Sequence, residues 1–117
     1  MYIFFKYLVR FSLWVYVKRL GIYNRKAAKI VTPLIVGVNH PNSFLDAFLI
    51  GSNMSHRVHF ITRSGVFKHP LVRKILRSVN MIPIYRKSDG KGQLGNNDAS
   101  FEEVRKILKR GEHVLIF

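Results

Sequence analysis

The stretch that decides the fold is VHFITRSGVFKHPLVRKILRSVNMIPIY, residues 58–85. Its two ends, VHFIT (58–62) and MIPIY (81–85), are short apolar runs of the kind that forms strands. Between them, PLVRKILRSV (70–79) has apolar residues at helical spacing and begins with a proline, which is favoured in the first turn of a helix. Pro83 has no backbone N–H to donate, so its strand is predicted at a sheet edge or at a bulge.

The same alternation continues on both sides of this stretch. Upstream, PLIVGV (33–38) predicts a strand and SFLDAFLIGSNM (43–54) predicts a helix. Downstream, SFEEVRKILKRG (100–111) predicts a helix that begins with a Ser-x-x-Glu capping box, and HVLIF (113–117) predicts a further strand. Strands and helices that alternate in this way form an α/β domain with a largely parallel sheet flanked by helices.

The composition limits the possible partners and chemistry. The 117 residues suffice for one domain with a core, and the absence of cysteine excludes a disulfide scaffold and a cysteine nucleophile. Because 20 Lys and Arg face only 6 Asp and Glu, the formal net charge is +14, which favours nucleic acid, anionic lipid or phosphate-bearing substrates as partners. The cations concentrate in residues 1–30 and in residues 57–91, where nine of them face Asp89 alone.

The N-terminal residues 1–20, MYIFFKYLVRFSLWVYVKRL, predict a helix rich in aromatic side chains. A transmembrane span is disfavoured, because Lys6 and Arg10 would each cost about 2.5–3.5 kcal/mol at mid-membrane. We expect instead a helix that lies in the membrane interface with its cations reaching toward head groups, while a helix buried against the domain is the alternative. The cations that follow would suit the anionic cytoplasmic face of a membrane. They are Lys18, Arg19, Arg25, Lys26 and Lys29.

Polar residues follow three of the predicted strands. His40 comes just after PLIVGV, Arg63 just after VHFIT, and Arg86 just after MIPIY. In parallel sheets, ligands bind beyond the carboxyl ends of the strands. We therefore expect one histidine and two arginines at a single edge of the sheet.

Asp46 stands six residues after His40, in the first turn of the following predicted helix. If the chain folds back, this carboxylate could fix the tautomer of the imidazole and make its other nitrogen a better base. The alternative is a capping aspartate beside an unrelated loop histidine. A metal site would need a third ligand, and we expect none, since no His-x-x-x-His spacing occurs.

Two blocks of this sequence resemble the glycerophospholipid acyltransferases of the lysophosphatidic acid acyltransferase type. NHPNSFLD (39–46) resembles their first block, an Asn-His pair followed by an Asp, although five residues rather than four separate His from Asp here. FITRSGVFKHPLVRKILRSVNMIPIYR (60–86) is similar to their second block, which closes on an apolar strand ending in Arg. The likeness covers roughly residues 35–117.

The resemblance implies transfer of a fatty acyl group from acyl-CoA or acyl carrier protein to the hydroxyl of a lysophospholipid or related acceptor. His40 would act as the general base and Asp46 would orient it, without a cofactor or metal. Arg86, with Arg63, would hold a phosphate. The candidate substrate-binding residues are Arg86, Arg63, Asn39 and Ser43.

The predicted organisation has two parts. Residues 1–30 form a membrane-associated helix and basic linker, and residues 31–117 form the N-terminal part of an acyltransferase domain. We expect a fragment that is inactive by itself, with residues 114–117 left as an exposed apolar edge. The alternative function is a non-catalytic basic module that binds membranes or nucleic acid, although the aromatic residues crowd residues 1–23 rather than a basic sheet face, so no nucleic acid is expected.

Overall fold

A computed structural model describes residues 1–19, 21, 23–39, 45–90 and 92–116. Its helices are α1 (Tyr2–Tyr16), α2 (Arg25–Ala28), α3 (Leu45–Asn53), α4 (Pro70–Ser78) and α5 (Asn96–Lys109). Its strands are β1 (Ile35–Gly37), β2 (Val58–Arg63), β3 (Met81–Ile84) and β4 (His113–Ile116). Two 3₁₀ turns, Ser64–Phe67 and Lys87–Asp89, follow β2 and β3.

The four strands form one sheet in the order β1-β4-β2-β3, and every neighbouring pair is parallel. The predicted α/β class with a parallel sheet and flanking helices is therefore confirmed. β3 lies at an edge of the sheet. Pro83 has no backbone N–H, and an edge strand tolerates this because one side of it has no neighbouring strand to bond.

The expected apolar edge at residues 114–117 is wrong for the residues that the structure describes. α5 carries the chain back across β2, so that β4 enters the sheet between β1 and β2. Val114 and Leu115 are completely buried as a result, and only Ile116 is partly exposed. An interior strand is what a continuous apolar run such as HVLIF favours.

Alternate residues of the strands face two separate layers of the core. Phe60, Met81 and Leu115 face a layer that also includes buried residues from α3 and partly buried ones from α1 and α4. Ile82 and Val114 face the opposite layer and pack against Ile107 of α5. The sheet is therefore covered on both faces, as expected for parallel strands.

One side of α1 docks on the domain. The Tyr2 hydroxyl accepts a hydrogen bond from the backbone N–H of Val58 (3.1 Å), and Leu13 is buried. Lys6 donates from Nζ to the carbonyl oxygen of Met54 (2.7 Å), just past the end of α3, and burial lowers the pKa of this amine. The expectation that Lys6 reaches toward head groups is therefore wrong, because the end of α3 offers it an unpaired carbonyl.

The other side of α1 is exposed and apolar. It carries side chains on the face opposite Tyr2 and Leu13, among them Phe4, Tyr7, Phe11 and Trp14, each more than 60% exposed. Among the described residues, no helix has both the length and the apolar character that crossing a membrane requires.

Two details of α5 differ from the sequence prediction. The helix begins at Asn96 rather than near Ser100, so Ser100 does not cap it. The Ser100 hydroxyl instead donates to the carbonyl oxygen of Pro83 in β3 (2.7 Å), and Glu103 pairs with Arg77 of α4 (2.6 Å). Both side chains thus join α5 to its neighbours.

Candidate active site

The carboxyl ends of β1, β2 and β3 meet at one edge of the sheet, because all the strands are parallel. Arg63 ends β2 and lies opposite Ile84, the last residue of β3. Arg86 comes two residues after Ile84, and both arginines are exposed to solvent. The structure therefore brings the two predicted phosphate-binding residues to the same edge, on neighbouring strands.

Asp89 ties these two strand ends together. One of its carboxylate oxygens, Oδ2, accepts a hydrogen bond from the Ser64 hydroxyl (2.8 Å) and another from the backbone N–H of Arg86 (2.9 Å). These two bonds, with the nearby guanidinium groups of Arg63 and Arg86, lower the pKa of Asp89 below its usual value. A charged carboxylate thus fixes the backbone at Arg86 relative to the end of β2.

The backbone before Arg86 is held from the other side by α5. The side-chain oxygen of Asn97 accepts from the Tyr85 N–H (2.8 Å), and its amide nitrogen donates to the Tyr85 carbonyl (2.9 Å). An edge strand has no neighbouring strand on one side to fix its end, and the contacts from Asn97 take the place of that neighbour. The segment from Tyr85 to Asp89 is consequently anchored at both ends.

A surface cleft of about 430 Å³ opens beside this anchored segment. Its floor is the 3₁₀ turn Ser64–Phe67, and its cationic side chains come from Arg63, Lys68 and Arg73. The remaining lining residues are Tyr85, Ser88, Asp89 and Gln93. The volume lies in the range of about 300–1,000 Å³ that is typical of ligand pockets.

The other half of the predicted site begins at β1. Asn39 is exposed two residues beyond the end of β1, and Asp46 is half-buried in the first turn of α3. His40 and Ser43 lie outside the described residues, so the His-Asp dyad stays a prediction. Only β4 separates β1 from β2, and strands about 4.8 Å apart put the ends of β1 and β2 roughly 10 Å from each other.

Sequence reasoning missed three residues of this edge, Asp89, Lys68 and Arg73. Asp89 was recognisable as the only acid in a strongly basic region, and its place three residues after Arg86 fits a side chain that caps a short turn. Lys68 and Arg73 gave no signal, because seven other cations of similar appearance occupy residues 57–91 around them.

Two buried histidines lie at the opposite, amino-terminal edge. His113 begins β4 and is completely buried, while His59 of β2 contacts Glu112 through Nε2 (2.5 Å). Burial lowers the pKa of both imidazoles. In the part of the chain that the structure describes, no three His, Asp or Glu side chains come together in a way that could hold a metal ion.

A family model described as Acyltransferase matches residues 19–117, which is most of the chain. The matched range includes the whole sheet and the cleft. No curated protein and no solved structure gives a significant match.

Proposed function

Since this chain belongs to the acyltransferase family, we propose that it moves a fatty acyl group from acyl-CoA or acyl carrier protein to the hydroxyl of a lysophospholipid or glycerol-phosphate-type acceptor. Family membership supports acyl transfer in general. The choice of acceptor rests on one observation, that Arg63 and Arg86 lie at the same edge of the sheet. The carboxylate beside them, Asp89, already accepts a hydrogen bond from the Arg86 N–H. Two exposed guanidinium groups at neighbouring strand ends suit a phosphate, because each can donate two parallel hydrogen bonds.

In the proposed reaction, His40 takes the proton from the acceptor hydroxyl while the hydroxyl oxygen attacks the carbonyl carbon of the thioester. The carbon–sulfur bond then breaks, and the departing thiolate takes the proton from the imidazolium. The products are the acylated acceptor and the free thiol of the donor. Asp46 orients the imidazole and stabilises its protonated form, the part that a carboxylate plays for a catalytic histidine.

The acceptor must be held so that its hydroxyl lies in line with the thioester, and such positioning is worth several kcal/mol of the barrier. Arg86 and Arg63 would hold the phosphate, and Asn39 and Ser43 would supply polar contacts nearer the hydroxyl. The roughly 10 Å between the ends of β1 and β2 leaves room for the acceptor between the base and the arginines.

The same proposal includes an anionic membrane as the partner of α1. The docked side of the helix leaves an apolar, aromatic side free, and the exposed cations Arg10, Lys18 and Arg19 lie beside or just beyond it. Aromatic side chains flanked by cations suit the interface of an anionic bilayer such as a cytoplasmic leaflet. Such binding would bring the carboxyl edge of the sheet to lipid substrates.

The test is acyl transfer from radiolabelled acyl-CoA to lysophosphatidic acid, measured with the longest form of the protein that its gene encodes. The variant His40→Ala should lose about 10²–10⁴-fold in turnover, as expected when a general base is removed. His69→Ala is the matched control, because His69 is an exposed histidine that does not line the cleft. Turnover by His40→Ala equal to that of the control would contradict the proposed mechanism.

A further inference from the structure

The cleft beside β3 contains more positive charge than the proposed acceptor site requires. Arg63, Lys68 and Arg73 line it, and Asp89 is the only carboxylate among the described residues that line it. That carboxylate is already engaged by the Ser64 hydroxyl and the Arg86 N–H. Like charges gathered without compensation destabilise a fold, so an arrangement of this kind fits an anionic ligand.

Arg73 is held in a way that suits ligand binding. Its Nε donates to the carbonyl oxygen of Phe67 (3.2 Å), and Phe67 is buried, so one end of the guanidinium is fixed against the floor of the cleft. Among the described residues, its two terminal nitrogens have no hydrogen-bond partner in the structure. A guanidinium held in this way can present both of them to one phosphate at little further cost in side-chain entropy.

Arg86 does not line the cleft, although it lies on the same edge of the sheet. The proposed reaction has two substrates that carry phosphate, since both acyl-CoA and acyl carrier protein present their thioester on a phosphopantetheine group. One phosphate subsite at Arg86 and Arg63 therefore leaves the phosphate of the second substrate without a partner.

We propose that Lys68 and Arg73 form a second anion site in this cleft, which binds the phosphate ester group of one substrate while Arg86 and Arg63 bind that of the other. The half-buried aromatic side chain of Tyr85 borders the same cleft and would contact the organic part next to the phosphate. The volume of about 430 Å³ accommodates more than a free phosphate ion. The identity of the ligand rests on the proposed function. The existence of the anion site does not.

The first experiment measures binding of inorganic pyrophosphate by titration calorimetry, without any acyl transfer. The full chain is compared with Arg73→Gln and with Lys74→Gln, a control that removes the same charge from the next residue of α4, outside the cleft. At about 0.15 M salt the screening length is near 8 Å, so general attraction by the net charge is reduced. We expect binding to weaken on the order of tenfold in Arg73→Gln and to change little in Lys74→Gln.

The second experiment identifies the source of the phosphate in the active protein. A rise in KM for the donor alone in Arg73→Gln assigns the site to the donor, and a rise for the acceptor alone assigns it to the acceptor. Equal loss of pyrophosphate binding in both variants, or no loss in either, would overturn the anion site. If the protein proved inactive on every acceptor, the pyrophosphate result would still decide whether this site exists.

Discussion

Asn97 is the residue whose replacement most directly tests how the end of β3 is fixed. Its side-chain amide makes one hydrogen bond to each backbone polar group of Tyr85, at 2.8 and 2.9 Å, and the side chain is half-buried. The variant Asn97→Ala removes both contacts and leaves the N–H and carbonyl of Tyr85 without this partner. Arg86 follows directly, so the loss should also loosen the proposed phosphate site.

The expected magnitude follows from the number and burial of these bonds. A typical intramolecular hydrogen bond contributes about 0.5–1.5 kcal/mol, so the loss of two should lower the free energy of unfolding by about 1–3 kcal/mol. Alanine is a better helix former than asparagine, which would offset a few tenths of this loss in the first turn of α5.

Asn96→Ala is the matched control, because it makes the same change in helix propensity in the same turn of α5. Asn96 is the neighbouring residue in the same turn and is exposed, and its side chain donates to Gln93 Oε1 on the surface (2.8 Å). Urea denaturation should show Asn97→Ala to be less stable than Asn96→Ala by about 1–2 kcal/mol. Hydrogen exchange at the Tyr85 amide should be faster in Asn97→Ala only. Equal stability of the two variants, with unchanged exchange at Tyr85, would refute the idea that Asn97 anchors the strand end.

Two further predictions concern α3 and α1. In Gly51→Ala, the added Cβ would lie 2.6 Å from the tip of the Phe60 ring. The free energy of unfolding measured by denaturant titration should therefore fall by about 1–3 kcal/mol. An unchanged value would show that the core can relax there. Trp14→Glu places a charge on the exposed apolar side of α1, so binding to anionic lipid vesicles should weaken about tenfold or more in a sedimentation assay. Phe101→Glu makes the same type of change at a half-exposed site on α5, and this variant should bind vesicles as the parent protein does. An equal loss of binding in the two variants would mean that the lower net charge, not the surface of α1, causes the loss.

The α/β class could be predicted because each element carries its own local signal. The strands are short apolar runs, the helices show apolar spacing near 3.6 residues, and Pro83 marks an edge strand. The order of the strands could not be predicted in the same way. Nothing in HVLIF states that β4 inserts between β1 and β2, because that choice depends on how α5 packs across the sheet.

Two polar contacts between distant parts of the chain were beyond sequence reasoning for a related physical reason. Ser100 fits the first residue of a capping box, yet its hydroxyl bonds to a carbonyl 17 residues away in β3. Lys6 fits an interfacial cation, yet it bonds to the end of α3, 48 residues away. A serine hydroxyl has several possible backbone partners of similar energy, and a long lysine side chain can reach many more, so the tertiary structure decides among them.

The carboxylates are engaged differently at the two edges of the sheet. In the described ranges of the chain, three ion pairs form, and they lie at the amino-terminal edge or on the outer faces of α4 and α5. They are His59–Glu112, Arg77–Glu103 and Arg105–Glu102. Most described cations elsewhere on the domain have no such partner either, but the carboxyl edge differs in that its carboxylate, Asp89, accepts hydrogen bonds from the Ser64 hydroxyl and the Arg86 N–H instead of from a guanidinium. Because Asp89 is engaged in this way, the guanidinium groups at this edge stay available, which supports the proposal that the edge binds an anionic substrate.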